Sequence, residues 1–368
     1  MVIGSFGASY ITFKKMFKVI LTGTNPIIWT EVIKNWNAGL IAFISQKTLF
    51  KTRPVVGFIH ALVAWGFTLY LLVNIIDVLY GFIPNFKFLP NSITGDIYRL
   101  FVDTFSILVL LGVFYFLARR FIIQEDRLTI KDPVLLSDRA KAGMKFDSFI
   151  VGAFIIVHIG SRFLSASFEI AIHGTDWSQP AANIVATLWS TLSPNTLTIA
   201  EHVTWWLALG LILLFLPYFP YSKHAHLFMG PLNIMASEKR RSMAAIETIN
   251  FEDEELDQFG AAQIQHLPQT QLLDGYACIQ CSRCQDACPA YETGKELSPS
   301  ALEINKRYFI NDNISAIANG ESIDKALTDW MLTEEAAWSC TTCGYCVEVC
   351  PVGNEPMIDI LRARQNLV

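Results

Sequence analysis

The run Cys278-x2-Cys281-x2-Cys284-x3-Cys288-Pro289 recurs as Cys340-x2-Cys343-x2-Cys346-x3-Cys350-Pro351, and these eight residues are all the cysteines of the chain. Soft thiolates at this spacing hold iron–sulfur clusters: one loop supplies three ligands to three irons, and the fourth, Pro-terminated cysteine reaches across to the other cluster. The expected assignment is Cys278, Cys281, Cys284 and Cys350 on one [4Fe–4S] cluster, and Cys340, Cys343, Cys346 and Cys288 on a second. A pair of all-cysteine zinc sites does not require this spacing. Disulfides belong to oxidising compartments, not to a cytoplasmic domain. The segment that must position the two motifs, 289–339, reads as helical. Ser298 and Ser300 can open a helix through Leu302, Ile304 and Phe309, Ile323 to Met331 forms another apolar face, and Gly294 and Pro299 mark the first turn. An all-helical two-cluster ferredoxin domain over 271–368 is therefore expected.

The histidines carry a second chemistry. Of seven, His60, His158 and His202 lie within long apolar stretches, and His224 and His226 follow the last of them in Pro220-Tyr-Ser-Lys-His-Ala-His226. A lone intramembrane histidine reads equally well as a hydrogen bond between helices. Together these fit axial ligation of b-type haem, because neutral imidazole is a good iron ligand and bis-His haem sits naturally inside a helical bundle. By depth, His60 lies ~10 Å along its helix and pairs with His226 or His224, while His158, ~17 Å deep, pairs with His202. Arg162 shares the face of His158 at i, i+4 and suits a haem propionate or a carboxylate; with Glu201 it is the candidate quinone pocket. Asp77, Asp103, Glu169 and Glu201 fall near the outer helix ends, where solvation at the interface is the expected state.

The remaining composition says which elements hold these groups. The chain has 368 residues, 52% hydrophobic and only 17% charged, a poor fit to a soluble enzyme, a disordered tail or a nucleic-acid binder. Four stretches, at about 54–82, 97–122, 147–172 and 198–219, reach the ~20 residues a spanning helix needs. Residues 10–50 read as an amphipathic interfacial segment, with a fifth spanning helix as the alternative, and no signal peptide is visible. Lys and Arg crowd the segment before the first span, the loop between the second and third, and the stretch after the fourth, whereas the other two loops hold only Lys87. This asymmetry places both termini, and the cysteine domain, on the cytoplasmic side of the cell inner membrane. The expected fold is all-α: a bundle of about four transmembrane helices with an N-terminal interfacial segment, then the helical ferredoxin. The expected divisions are an interfacial segment 1–53, a cytochrome b-like domain 54–235, a linker 236–270 and the ferredoxin domain 271–368.

Arg53-Pro-Val-Val-Gly-Phe-Ile-His60, Trp205-Trp206, Pro220 to His226, Phe259-Gly260, Thr293-Gly-Lys-Glu-Leu-Ser-Pro299 and the two Cys motifs carry a resemblance. With them the chain resembles membrane-bound Fe–S oxidoreductases of the heterodisulfide-reductase-related group, whose N-terminal half is similar to the cytochrome b gamma subunit of respiratory nitrate reductase. The resemblance covers nearly the whole chain. It implies an electron conduit between a cytoplasmic redox partner and menaquinone, with b haem in the membrane and two [4Fe–4S] clusters outside it. Implied partners are an electron-transfer flavoprotein, a subunit with cysteine-rich CCG domains, or both, besides membrane lipid and quinone. Relatives usually carry a histidine shortly after the Trp-Trp pair, where this chain has Leu207 and Ala208. The chain has no CCG cysteines, which implies that the primary catalytic site lies on a partner. Other readings are a membrane subunit of a heterodisulfide-reductase-like or sulfur-metabolism complex, and, from a different class, a redox sensor or transporter.

Overall fold

A computed structural model of the chain describes residues 1–84, 86, 88–89, 92–236, 249, 251–252 and 258–368. Lys87, Lys239, Arg240 and Arg241, which bear on topology, and much of the expected linker 236–270 lie outside the described residues. In chain order the α-helices are α1 Val2–Thr22, α2 Trp29–Lys34, α3 Trp36–Ser45, α4 Lys47–Phe50, α5 Pro54–Phe82, α6 Ile93–Leu117, α7 Asp138–His173, α8 Pro180–Ala186, α9 Pro194–Phe215 and α10 His226–Ala236. They continue as α11 Gln269–Ala277, α12 Arg283–Asp286, α13 Pro289–Glu292, α14 Pro299–Asp312, α15 Ile314–Ala318, α16 Leu327–Trp330, α17 Glu334–Ser339, α18 Tyr345–Glu348 and α19 Pro356–Asn366. The described residues form no strand; Thr24 and Pro268 make an isolated parallel bridge.

Among the described residues four helices are long and apolar enough to cross a membrane: α5, α6 with the turn that extends it to Ile122, α7 and α9. α5 keeps the limits of its hydrophobic run, whereas α6, α7 and α9 start before theirs, because capping and not hydropathy sets a helix start. Ser92 accepts from the Gly95 N–H at 3.3 Å, so α6 begins at Ile93. Ser137 accepts from the Ala140 N–H at 3.1 Å and opens α7 well before its apolar part. Ser193 accepts from Thr196 N–H at 3.2 Å with Pro194 in the first turn, which starts α9 early. Pro217 and Pro220 follow within a few residues of its end at Phe215.

The chain divides into two compact units. The first comprises Met1–Phe6, Val55–Ile123 and Phe149–Leu216. Here α5 and α6 approach closely at small residues, since a Cβ on Gly66 would come within 2.3 Å of Val109 and one on Gly112 within 2.6 Å of Val63. Ser5 Oγ donates to the Leu213 carbonyl at 2.5 Å and fastens the start of α1 to α9.

The second unit comprises Gly7–Pro54, Gln124–Ser148 and Pro217–Val368. Its core is built on α11, α14 and α19 through Leu272, Leu273, Leu302, Ile304 and Ile360. Residues of the N-terminal segment belong to this same unit. Thr24 N–H donates to Leu267 O at 2.9 Å and Gln269 N–H to Thr24 O at 2.8 Å. On α2 and α3, Val32 and Gly39 turn inward, while Trp29, Ile33, Trp36, Ile41 and Ile44 are exposed. The described end of the expected linker is packed: Ala261 N–H donates to Arg362 O at 2.9 Å, and Ile264 and Leu267 are buried. Gly260, at φ +65°, makes that contact possible, because a Cβ there would lie 2.1 Å from Arg362 O.

Candidate redox centres

The two Cys loops repeat in backbone conformation as well as in sequence. Gln280 and Ser282 take φ of +54° and +59°, and the matching Thr342 and Gly344 take +55° and +70°. These left-handed residues turn amides toward sulfur: Gln280 N–H serves Cys278, and Thr342 N–H donates to Cys340 Sγ at 3.4 Å. Beyond each fourth cysteine the pattern continues, with Ala290 and Tyr291 amides on Cys288 and Asn354 N–H donating to Cys350 Sγ at 3.3 Å. Donors aimed at sulfur favour thiolate and tune a bound cluster.

The thiols fall into two sets. Cys350 feels Cys281 and Cys278, and Cys284 feels Cys281, Cys350 and Cys278, with Cys346 last among its neighbours. Cys346 feels Cys340, Cys288 and Cys343, and Cys288 feels Cys340 and Cys343. Each set therefore draws three sulfurs from one loop and one from the other motif. Among the described residues no three His, Cys, Asp or Glu groups converge as ligands of one metal ion. Four sulfurs on one zinc lie ~3.8 Å apart; a cluster gives each thiolate its own iron and spreads them wider. Four thiols in each set match the ligand count of a [4Fe–4S] cluster. Burial pushes the Cys278 and Cys346 thiols up to about 12, a penalty that cluster iron offsets by holding the sulfurs as thiolates.

A buried polar network adjoins the first set. Lys306 is fully buried and donates to Asp359 Oδ2 at 2.5 Å and to Glu303 Oε1 at 3.2 Å. Asn354 Nδ2 donates to Asp274 O at 2.8 Å and to Glu303 Oε2 at 3.1 Å, and Asn233 Nδ2 donates to Asp274 Oδ1 at 2.7 Å. Burial raises Glu303 to about 7 against the pull of Lys306, and raises Asp274 and Asp359 as well. Burial opposes charge on Lys306, but Asp359 and Glu303 outweigh it and hold the ammonium above its ordinary range. The first loop is further clamped by Arg53, which donates to Cys281 O at 2.9 Å and to Asp286 at 2.5 Å.

The histidines divide between the units. In the second, His224 is buried and its ring lies 6.2 Å from that of His226. His226 Nδ1 lies 2.6 Å from Lys223 O. A carbonyl only accepts, so Nδ1 carries the proton and Nε2 keeps the lone pair that a metal ligand needs. Burial lowers His226 to about 4, so the ring is neutral at ordinary pH. In the first unit His60 sits edge-on to Phe116 at 6.2 Å. His158 is buried, with Nδ1 donating to Ala208 O at 2.9 Å and Nε2 facing Asn74 Nδ2 at 3.3 Å, so it holds the same tautomer. The imidazoles thus fit haem iron chemically. His202 does not meet His158: its side chain is 65% exposed and its Nδ1 faces Thr198 O of its own helix. Helix α9 reaches His158 at Ala208 instead, six residues or ~9 Å further along.

Arg162 also has a different partner from the expected one. It makes a bidentate pair with Asp77, at 2.6 and 3.2 Å, while Glu201 lies 3.0 Å from His202 Nδ1. Asp77 and Asp103 are buried, contrary to their expected interfacial solvation. Asp77 is neutralised by Arg162, and Asp103 accepts from the Ala181 and Ala182 amides at 2.8 and 3.0 Å, capping α8.

Comparison with known proteins agrees with the cysteine chemistry. Residues 274–354 match the 4Fe-4S dicluster domain family. The chain is 32% identical over 360 residues to the probable iron-sulfur-binding oxidoreductase FadF of Bacillus subtilis, covering 88% of this chain and 48% of that protein. The chain thus carries a region of the 4Fe-4S dicluster type and, among the described residues, four helices long and apolar enough to cross a membrane. It is also 25% identical over 362 residues to the EtfAB:quinone oxidoreductase of Syntrophomonas wolfei, covering 90% of this chain and 48% of that one. A shorter match, 29% over 120 residues, is to a probable membrane-anchored ferredoxin of Chromohalobacter salexigens, covering 26% of this chain and 17% of that protein. The chain spans about half the length of the first two relatives. No solved structure matches it.

Proposed function

We propose that the chain is an integral membrane electron-transfer subunit of the cell inner membrane. It passes electrons between a cytoplasmic redox partner and the menaquinone pool through two [4Fe–4S] clusters and b-type haem. The observation that carries this reading is the repeated cysteine loop, with matching left-handed turns and amides donating to sulfur, within a 4Fe-4S dicluster match in a chain whose described residues include four potential membrane spans. The relative named for EtfAB and quinone supports an electron-transfer flavoprotein as partner.

In this reading Cys278, Cys281, Cys284 and Cys350 hold one cluster, and Cys340, Cys343, Cys346 and Cys288 the other. His60, His158, His224 and His226 are the candidate haem ligands. When bound, these groups supply one-electron carriers; the chain supplies their ligands, the amide donors on sulfur and the buried charges beside them. The Asp77–Arg162 pair is the candidate quinone-side polar group, since a buried guanidinium can orient a quinone oxygen. The exposed apolar edge of α2 and α3 suits the bilayer interface, with the ferredoxin domain in the cytoplasm.

Iron and sulfide analysis, EPR of the reduced protein and a pyridine haemochrome assay test the cofactor set. Two [4Fe–4S] signals with b haem are expected. Zinc without cluster signals, or folded protein free of haem, overturns the corresponding part.

A further inference from the structure

The two Cys loops are copies in cysteine spacing and backbone, yet they differ in burial at four matched positions. Tyr276, two residues before Cys278, is 1% exposed; Trp338, two before Cys340, is 49% exposed. Arg283 is buried and donates to Thr52 Oγ1 at 2.9 Å and Leu49 O at 3.3 Å, whereas its counterpart Tyr345 is 51% exposed. Asp286 is paired with the buried Arg53; its counterpart Glu348 forms an exposed pair with Lys51 at 3.2 Å. Cys343 is exposed, whereas Cys281, at the same place in the first loop, is not. One copy is thus sealed, against residues 49–53 that run directly into span α5, and the other is open.

We propose that the open loop, residues 338–345 around Cys343, is the docking port for the soluble redox partner, and that this partner presents a basic rim around a one-electron cofactor. The inference rests on the conduit reading and adds which cluster meets the partner. Two features define the partner's surface. Trp338 and Tyr345 give the port flat aromatic area, with Trp338 held in place by the Arg364 guanidinium 5.3 Å from its ring. Exposed Glu334 and Glu335 lie one helical turn before Trp338 on α17 and give that edge of the port an acidic character that attracts a basic partner, while exposed Glu348 is paired with Lys51. Exposure of Cys343 shortens the path to a docked cofactor.

The probe is mitochondrial cytochrome c, a small basic one-electron oxidant. The full-length protein in detergent, its clusters reduced with dithionite and the excess removed, is mixed with ferric cytochrome c by stopped flow. Each reduced cluster loses one electron to one ferric haem. The wild-type rate is expected to fall at least tenfold from ~10 to ~300 mM salt as screening removes steering. Glu334→Lys with Glu335→Lys lowers the low-salt rate at least tenfold with little effect at high salt, and Trp338→Ala lowers the rate at both. Ferricyanide, a small anion, oxidises the charge-reversed protein at least as fast as wild type. A wild-type rate flat or rising with salt overturns the proposal, as does an unchanged rate in variants whose EPR signals are intact. The wild-type salt series needs no variant to fold. Reduced electron-transfer flavoprotein is run in parallel as donor: if it reduces nothing while the cytochrome c pattern holds, the flavoprotein reading falls and the port stands.

Discussion

The backbone N–H of Asn354 donates to the Cys350 sulfur at 3.3 Å, while the side chain of the same residue donates to Glu303 at 3.1 Å. One residue thereby ties a ligand of the first thiol set to the buried charges of α14 and α19. Cys350 lies seventy-two residues after Cys278 in the chain, yet its thiol neighbours are Cys281 and Cys278. The crossing of the two motifs gives a direct expectation. Cys350→Ser alters the EPR signal that Cys284→Ser alters, and Cys288→Ser the signal that Cys343→Ser alters. Pairing Cys350→Ser with Cys343→Ser instead would refute the assignment.

The Asp77–Arg162 pair is buried between α5 and α7. Removing one partner strands a charge in a low-dielectric site, at a cost of about 3 kcal/mol or more. Asp77→Leu and Arg162→Met are each expected to lose that much in reversible unfolding in mixed micelles. The double variant strands no charge and returns to within about 2 kcal/mol of wild type. Additive losses in the double variant show that the two do not act as a pair.

Glu303 gives a pH dependence with a defined sign. Its folded value of about 7 lies above the ordinary 4.5, because burial outweighs Lys306. The folded state thus holds a proton that the unfolded chain releases, so this contribution to stability is complete below about 4.5 and is lost as pH rises through about 7. Glu303→Gln keeps the shape and abolishes the titration. Its melting temperature falls less than that of wild type between pH 5.5 and 8, by a few degrees at ~2–4 °C per kcal/mol. Parallel wild-type and variant curves assign the dependence elsewhere; comparison with the variant cancels the opposite trend from His226, whose value burial lowers.

If His226 ligates haem iron, His226→Ala removes b haem absorbance while leaving cluster EPR intact, because its imidazole serves the haem and no thiol. His202→Ala leaves the haem content unchanged, since that ring faces outward. Haem lost from the His202 variant and retained in the His226 variant would reverse the assignment.

Much of this was legible in the sequence because it is local. Thiol spacing, apolar length and serine caps act within a few residues, so the cysteine motifs, the four spans and the helix after Ser298 could be read directly, whereas the expected face from Ile323 to Met331 forms only the short α16. Long-range partnership could not. Arg53 reads as one more flanking cation, yet it grips Cys281 O and Asp286 more than two hundred residues away. Nothing in the sequence marks Lys306 and Arg307 as interior, yet both are buried, the first in an ion-pair network and the second on the Gly275 and Tyr276 carbonyls. His202 shows the opposite failure: helix depth alone pairs it with His158, but rotation about the helix axis turns it away. Asp77 at a helix end looks solvated until Arg162 on another helix is seen to neutralise it.

The central claim is that electrons cross this chain between a soluble partner and quinone in the bilayer. The direct test reconstitutes the protein in liposomes containing menaquinone and adds reduced electron-transfer flavoprotein outside. Menaquinone should be reduced by wild-type protein and not by Cys350→Ser. Menaquinone that stays oxidised while the flavoprotein reduces both clusters, or equal quinone reduction by the Cys350→Ser protein, would contradict the account.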